Sequence, residues 1–259
     1  MYTGSIGAGI NLSLYLEAST QEKEPHIEFN GKIIKLCHYD YIVSKTGIRM
    51  GIVAKAPFEL GKGFGLSAAL SLAISLLTAH HVNGYTLEKA ARLAHEAEVM
   101  YSTGLGDVIA EYYGGLEIRV KPGPPGIGVV EKIPVKKNIK LLVASLPGLE
   151  YTPQMLSRIG TNVYNMSYKM VFQLLDDPSI EKFFEYANTF TRKVFDYRFV
   201  DEILSVYKNK IIGYYRKKQA LIVWVEREWL GEVTEYLRSK NIYPYITTID
   251  MLGTRIVYS

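Results

Sequence analysis

Two short stretches hold the residues whose types and spacing suit chemistry. The first, residues 61–77, reads GKGFGLSAALSLAISLL, with glycines at alternate positions, then Ser67, then an apolar run. Glycine adopts positive φ at little cost, so a glycine-rich turn lets backbone N–H groups converge. A helix opening at Leu66 or Ser67 aims its unpaired N–H groups and positive dipole end into the same space. Gly61, Lys62, Gly63, Phe64, Gly65, Leu66, Ser67 and Ala68 are therefore candidate contacts for a triphosphate. The Ser67 hydroxyl is available to a phosphate oxygen or a magnesium ion. The plainer reading is a tight turn before a buried helix, because the stretch has neither the Walker spacing nor the dinucleotide fingerprint. On local grounds the turn is the simpler account. For Ser71 and Ser75 the expectation is a bond back to the preceding helical turn.

The second stretch, residues 102–115, reads STGLGDVIAEYYGG. Asp107 follows a Gly-x-Gly turn ahead of a short helix and has two readings of equal standing. It is either an N-cap or a carboxylate turned toward a hydroxyl acceptor, orienting that hydroxyl and taking its proton as a phosphoryl group moves. Upstream, Glu96 and Glu98 lie two apart on a helix and point in different directions, so at most one faces this site and serves a magnesium ion. The histidines, at 26, 38, 80, 81 and 95, show no metal-ligand spacing, and His95 reads as a packing residue. Tyr214, Tyr215, Arg216, Lys217 and Lys218 mix aromatic and basic residues as a single-strand nucleic-acid surface does, but so short a patch reads better as a solvated turn.

The elements that must position these residues are legible in the patterning. In IEFNGKIIKL, from Ile27 to Leu36, Asn30 and Gly31 form a two-residue hairpin turn. Ile48, Met50 and Ile52 alternate, which predicts a strand over 47–54 leading into Pro57 and the glycine loop. Thr86 caps an amphipathic helix over 87–101 with Leu87, Ala90, Ala91, Ala94 and Ala97 inward. A short helix over 107–113, a strand LEIRV, the breaker PGPPG and a buried strand over 139–145 follow. Helices are expected over 154–175, 179–195 and 199–209, then a strand over 220–225, a helix over 227–239 and a closing strand over 254–258. The change of character at Pro147 and Gly148 puts a domain boundary near 146, giving two α+β halves, 1–145 and 146–259.

The composition bounds the partners. The chain has 259 residues, 48% hydrophobic and 22% charged, enough for a substantial core. Its net charge of +4 is too mild to argue for a nucleic-acid or membrane partner. Cys37 is the lone cysteine, and MYTGSIGAG lacks the marks of a signal peptide, so a reducing cytoplasm is expected. The apolar run over 66–79 is broken by Ser67, Ser71, Ser75 and Thr78 and is too short for a bilayer.

Taken in order, PxxxGxGFGxSAA opening a buried helix, an acidic helix, TGLGDV and a double glycine resemble the GHMP kinase superfamily. The form GFGxSAA with TGLGDV, GG, an arginine and PGxP is most similar to the archaeal pantoate kinases, and TGSIGAGINL, from Thr3 to Leu12, resembles a further block of that family. The resemblance covers about the first 145 residues. It implies a two-domain α+β GHMP kinase fold, the first half like domain 2 of ribosomal protein S5 and the second ferredoxin-like. It also implies an enzyme that uses ATP and Mg2+ to phosphorylate a small hydroxy acid, pantoate, on the route to coenzyme A. Carried over by position, Gly61 to Ala68 become the phosphate loop, Ser67 and Glu98 the magnesium side, and Asp107 the catalytic base. Ser5, Gly7, Gly9 and Asn11 border the acceptor, and Arg119 pairs with its carboxylate; an ordinary strand arginine is the equal alternative. Monomer and homodimer both stay open.

Two departures from the family pattern stand out. A strand with Pro-x-His-x-Thr/Ser-Gly usually precedes the GSxGAG block, whereas here that block begins at Gly4, leaving a late start, a truncation or a lost sheet edge as the expectations. The family's C-terminal glycine motif is poorly matched, with KIIGYYRKKQALIVW near its place and a lone Gly253 in DMLGTRIVY. That leaves room for another hydroxylated acceptor or for a nucleotide-binding regulator with impaired catalysis.

Overall fold

The computed structural model describes residues 3–21, 24–136, 139–148 and 159–257. Five strands and a helix precede the glycine loop. Asn30 and Gly31 take φ of 50° and 77°, closing the hairpin of β3 (Ile27–Phe29) and β4 (Lys32–Ile34) as their sequence predicts. Next comes α1 (Cys37–Thr46), a helix in a segment for which the sequence reading named no element. Its amphipathic stripe is weak, since His38 is one of its four buried residues. It ends at Gly47 in the left-handed conformation. The predicted strand over 47–54 shortens to β5 (Gly51–Lys55), which pairs antiparallel with β2 (Glu17–Gln21) and parallel with β3.

The apolar run is helix α2 (Leu66–Ala79), packed on α3 (Leu87–Met100). Thr86 caps α3 as expected, accepting from the Lys89 N–H. Of the expected inward positions, Ala90, Ala91, Ala94 and Ala97 are buried, but Leu87 at the first turn is exposed. The alanine surface lets α2 approach closely enough for hydroxyls to cross the interface. Ser75 donates to the Ala90 carbonyl (2.6 Å) and Ser71 to that of Ala94 (3.4 Å). These serines therefore bond across to α3 and not back along their own helix. Helix α4 (Asp107–Tyr113) then leads into β6 (Leu116–Lys121), which is flanked by β1 (Gly7–Ile10) and β7 (Val129–Ile133) in a three-stranded antiparallel sheet.

A third sheet holds β8 (Leu141–Ser145), β9 (Ile211–Lys217), β10 (Ala220–Val225) and β11 (Tyr245–Thr247) in the order β11-β8-β10-β9, all antiparallel. That order is the ferredoxin-like arrangement. Both faces are covered, which is why LLVAS and ALIVWV read as unbroken apolar runs. Leu141, Val143, Ile222 and Trp224 join the core shared with β3, β5 and α2, together with α5 (Thr161–Asp176) and α6 (Ile180–Thr191). Leu142, Ala144, Leu221 and Val223 pack on the other side with α7 (Arg198–Leu204) and α8 (Leu230–Ser239).

Strand β8, read from sequence as the end of the first half, is thus the first strand of the third sheet. The expected helical segment over 154–175 begins in part outside the described residues, and the helix starts at Thr161. No closing strand forms over 254–257. Gly253, at φ +72°, instead presses its backbone against that of Gly114, while Thr254 donates from N (2.9 Å) and Oγ1 (3.0 Å) to the Glu111 carbonyl. Backbone-to-backbone contact of this kind excludes any side chain at either glycine.

Candidate active site

The glycine loop meets α2 at Gly65, which caps the helix at φ +76° with no side-chain cap, so the first N–H groups of α2 have no side chain bonded over them. Gly61 and Gly63 also take positive φ. Their surroundings differ. A Cβ on Gly65 would meet only the carboxyl end of Glu111, whereas a Cβ on Gly63 would run into the carbonyl of Lys217, its carbon 3.0 Å away. Gly63 thus seats the loop on the β9–β10 turn. Lys62, though in the loop, points away from the helix end: its ammonium donates to the Gly148 carbonyl (2.8 Å) and lies 3.7 Å from Glu59. Phe64 stacks on Phe58 at 3.7 Å between ring centroids, and Leu66 and Ala68 are buried under the loop.

Ser67, on the first turn of α2, donates to Oε1 of Glu98 (2.6 Å). Glu98 is 1% exposed, and Oε1 also lies 2.8 Å from Nε2 of His38. Its other oxygen, Oε2, is buried without a hydrogen-bond partner. A fully buried carboxylate oxygen left in that state is costly unless a cation satisfies it. A Cβ on Gly104 would lie 2.7 Å from this Oε2 and 3.6 Å from Oδ2 of Asp107, so the two carboxylates flank one glycine. Glu96, by contrast, meets only the Tyr41 hydroxyl (3.3 Å) at the surface. Among the described residues no three His, Cys, Asp or Glu side chains converge as a metal cage. A magnesium ion does not need one, since one or two protein ligands plus phosphate oxygens and waters suffice. Ser67 and Glu98 fit that role, and the uncapped helix end fits a polyphosphate.

Asp107 is the first residue of α4, but Gly106 holds the capping position and the Asp107 side chain makes no cap bond. The local N-cap reading therefore does not hold. Its carboxylate instead accepts from Nζ of Lys217 at 3.0 Å (Oδ1) and 3.2 Å (Oδ2). Desolvation pushes its pKa up, but Lys217, then Arg119 and Lys218, outweigh that and hold it below the usual carboxylate value. One turn on, Glu111 has the opposite balance. Burial, with Asp107 and Glu98 nearby, raises its pKa well above the ordinary range, and its Oε2 has no partner.

The wall beyond Asp107 is built by strand register. β1 pairs with β6 so that Gly7 faces Arg119 and Gly9 faces Glu117. Two residues apart on one face, Arg119 and Glu117 lie across strand positions that carry no side chains and ion-pair with each other there. A Cβ on Gly7 would sit 2.5 Å from Arg119 Nη2, one on Gly9 2.7 Å from Glu117 Oε1, and one on Gly106 2.7 Å from Arg119 Nε. Ser5 closes in on Gly106 from the same side. Glu117 is fully buried, and desolvation raises its pKa to about 7 despite the Arg119 partner. Ser5, Gly7, Asp107, Glu111, Arg119 and Lys217 all line one cleft of about 2100 Å3. Asn11 lines it too, but its amide hydrogens are spent on the carbonyls of Ala110 (3.0 Å) and Gly115 (3.3 Å), tying β1 to α4. His95 is a packing residue, as expected: it lies 3% exposed with Nε2 2.7 Å from the Thr3 carbonyl.

Residues 31–115 match the family model for the GHMP kinases N terminal domain. Over 204 residues the chain is 34% identical to a pantoate kinase of Thermococcus kodakarensis, covering 73% of this chain and 67% of that protein. The chain belongs to the pantoate kinase family of the GHMP kinases. A pantoate kinase of Methanocaldococcus jannaschii is 33% identical over 189 residues, 70% of this chain and 68% of that protein. A solved structure described as a phosphotransferase related to the CoA biosynthesis pathway superposes with a TM-score of 0.80 at 28% identity, covering 96% of this chain and 88% of that chain. As a family member the chain is an ATP-dependent kinase with the two-part α+β GHMP fold.

Sequence reasoning missed four residues of the cleft: His38, Glu111, Glu117 and Lys217. Glu117 had a signal, since it alternates with Arg119 on a strand opposite alternating glycines. Lys217 had none, because its patch reads locally as a solvated turn.

Proposed function

We propose that this kinase transfers the γ-phosphoryl group of ATP to the primary hydroxyl of pantoate, forming 4-phosphopantoate. The observation that carries this reading is Gly104, with the orphaned oxygen of Glu98 on one side and Asp107 on the other. A cation-seeking carboxylate and an ionised acid–base carboxylate beside a helix N-terminus are the parts phosphoryl transfer needs.

The N–H groups at Gly65 and the start of α2 receive the phosphates. Ser67 and Glu98 would hold a magnesium ion, which would supply neutralising charge to the phosphate oxygens. Asp107, kept ionised by Lys217, aligns the acceptor hydroxyl and takes its proton. Arg119, flat over Gly7 and fixed by Glu117, offers its outer edge to the acceptor carboxylate, with Ser5 beside it. Positioning and charge, not covalent chemistry, carry the catalysis. In this reading the two halves divide before β8, not at 145/146, since β8 belongs to the third sheet.

A coupled ADP-release assay with pantoate and a panel of other small hydroxy acids tests the proposal. Turnover restricted to pantoate supports it, turnover on a different acid reassigns the acceptor, and ATP binding without transfer to any acid turns the protein into a nucleotide-binding regulator.

A further inference from the structure

The triphosphate side of the cleft gathers negative charge. The carboxylates of Glu98 and Asp107 converge near the end of α2, where burial holds Glu111 toward its neutral acid, and a polyphosphate brings more negative charge. A magnesium ion at Ser67 and Glu98 would offset this at one end, which leaves the Asp107 end, where the phosphoryl group must pass. The cations nearest that end are not equally available. Lys62 is drawn away to the Gly148 carbonyl, and Arg119, ion-paired with Glu117, faces the acceptor side. Lys217 reaches in, its ammonium spanning both oxygens of Asp107 while its side chain stays 40% exposed to the cleft. Its own carbonyl is the group that packs on Gly63, so the phosphate loop, the ammonium and the acid–base carboxylate are held by one hairpin turn.

We infer that Lys217 is a catalytic residue of this kinase, its ammonium contacting the transferring phosphoryl group from the second half of the chain while it holds Asp107 in place. The inference rests on the reading of Asp107 as proton acceptor. In the step, the acceptor hydroxyl forms the new O–P bond and its proton passes to Asp107. The P–O bond to ADP breaks with its electron pair left on the β-phosphate oxygen. Lys217 exchanges no proton in this step and acts through its charge on the transferring group. KIIGYYRKKQALIVW, a poor match to the family's glycine motif, thus supplies a side-chain cation at the phosphate site.

The test is Lys217→Met, which keeps the aliphatic stem and removes the charge, with Lys217→Ala for rescue. Turnover of Lys217→Met falls by about 10²–10³, the usual loss on removing one preorganised donor to transition-state charge. Without turnover, affinity for the β,γ-imido analogue of ATP falls roughly tenfold while ADP affinity holds, because only the analogue carries the γ-group. Ethylammonium restores part of the Lys217→Ala rate, which a merely structural strut would not permit. A turnover within about threefold of wild type overturns the inference, as does an equal loss of analogue and ADP affinity. If the wild type phosphorylates no hydroxy acid, the pantoate reading fails, and the analogue-against-ADP comparison still decides the Lys217 contact. Thermal midpoints of the variants near wild type show that the fold is retained.

Discussion

Gly63 and Gly65 look alike in the sequence, and the structure separates them. A methyl group at Gly63 would sit 3.0 Å from the carbonyl carbon of Lys217, 3.2 Å from Cβ of Lys218 and closer still to the Lys217 carbonyl oxygen, at a φ of +100°. Two costs combine in Gly63→Ala. The positive φ costs roughly 1–2 kcal/mol for a residue with Cβ. Pushing a backbone hairpin aside by about 1 Å to restore ordinary contact adds roughly 1–3 kcal/mol, as overpacking does in cores. The sum of roughly 2–5 kcal/mol is a large part of a typical domain's stability. At ~2–4 °C per kcal/mol it lowers the thermal midpoint by about 4–20 °C. In Gly65→Ala the same φ cost applies, but the obstructing atoms are the carboxyl end of Glu111, which can swing away. The expected shift there is about 2–8 °C. The functional ranking reverses for nucleotide: Gly65→Ala weakens the β,γ-imido analogue by blocking the end of α2, at a smaller stability cost. Differential scanning calorimetry and titration of the analogue read both quantities. Midpoints for the two variants within a degree of each other would refute the assignment of Gly63 to the hairpin contact. Unchanged analogue affinity in Gly65→Ala would refute the phosphate cradle.

Other expectations bear on the carboxylates. Asp107→Asn retains ATP-analogue binding and loses most turnover, roughly 10²–10⁴-fold, measured by ADP release at saturating acceptor. Glu98→Gln removes the charge from the buried oxygen and raises the magnesium concentration for half-maximal activity about tenfold or more, read from a magnesium titration at fixed ATP. Glu117 titrates near pH 7 when folded against an ordinary value of 4.5. Its raised pKa means that the folded protein holds this proton more tightly than the unfolded chain does. The associated stability is complete below pH 4.5 and is lost as the pH rises through 7, about 3 kcal/mol in all. Urea unfolding should therefore show Glu117→Gln gaining on wild type from pH 5 to pH 8, and a difference that does not vary with pH would contradict it. Glu111→Gln, which mimics the neutral acid favoured at its site, is expected to leave stability at pH 7 unchanged or raised, read from the same urea midpoints.

What the sequence determined by itself is the set of features with local causes. The alternate glycines announce a loop at the end of a buried helix, Thr86 announces the start of α3, Asn30 and Gly31 announce a hairpin, and the TGLGDV turn announces α4 at its observed first residue. Each depends on φ preferences, caps or a period within a few residues. The order of these blocks also carried the family. Tertiary structure alone decided how the cleft is electrically composed. Lys217 meets Asp107 across 110 residues because β9 forms the edge of the third sheet and its turn seats on Gly63. Glu117 and Arg119 face the cleft because the register of β1 and β6 sets them opposite Gly9 and Gly7. Gly253, which read as the remnant of a phosphate motif, serves a backbone crossing with Gly114. Strand register and backbone crossings join segments far apart in the chain, so no local pattern encodes them, and they set which charges face the reacting group.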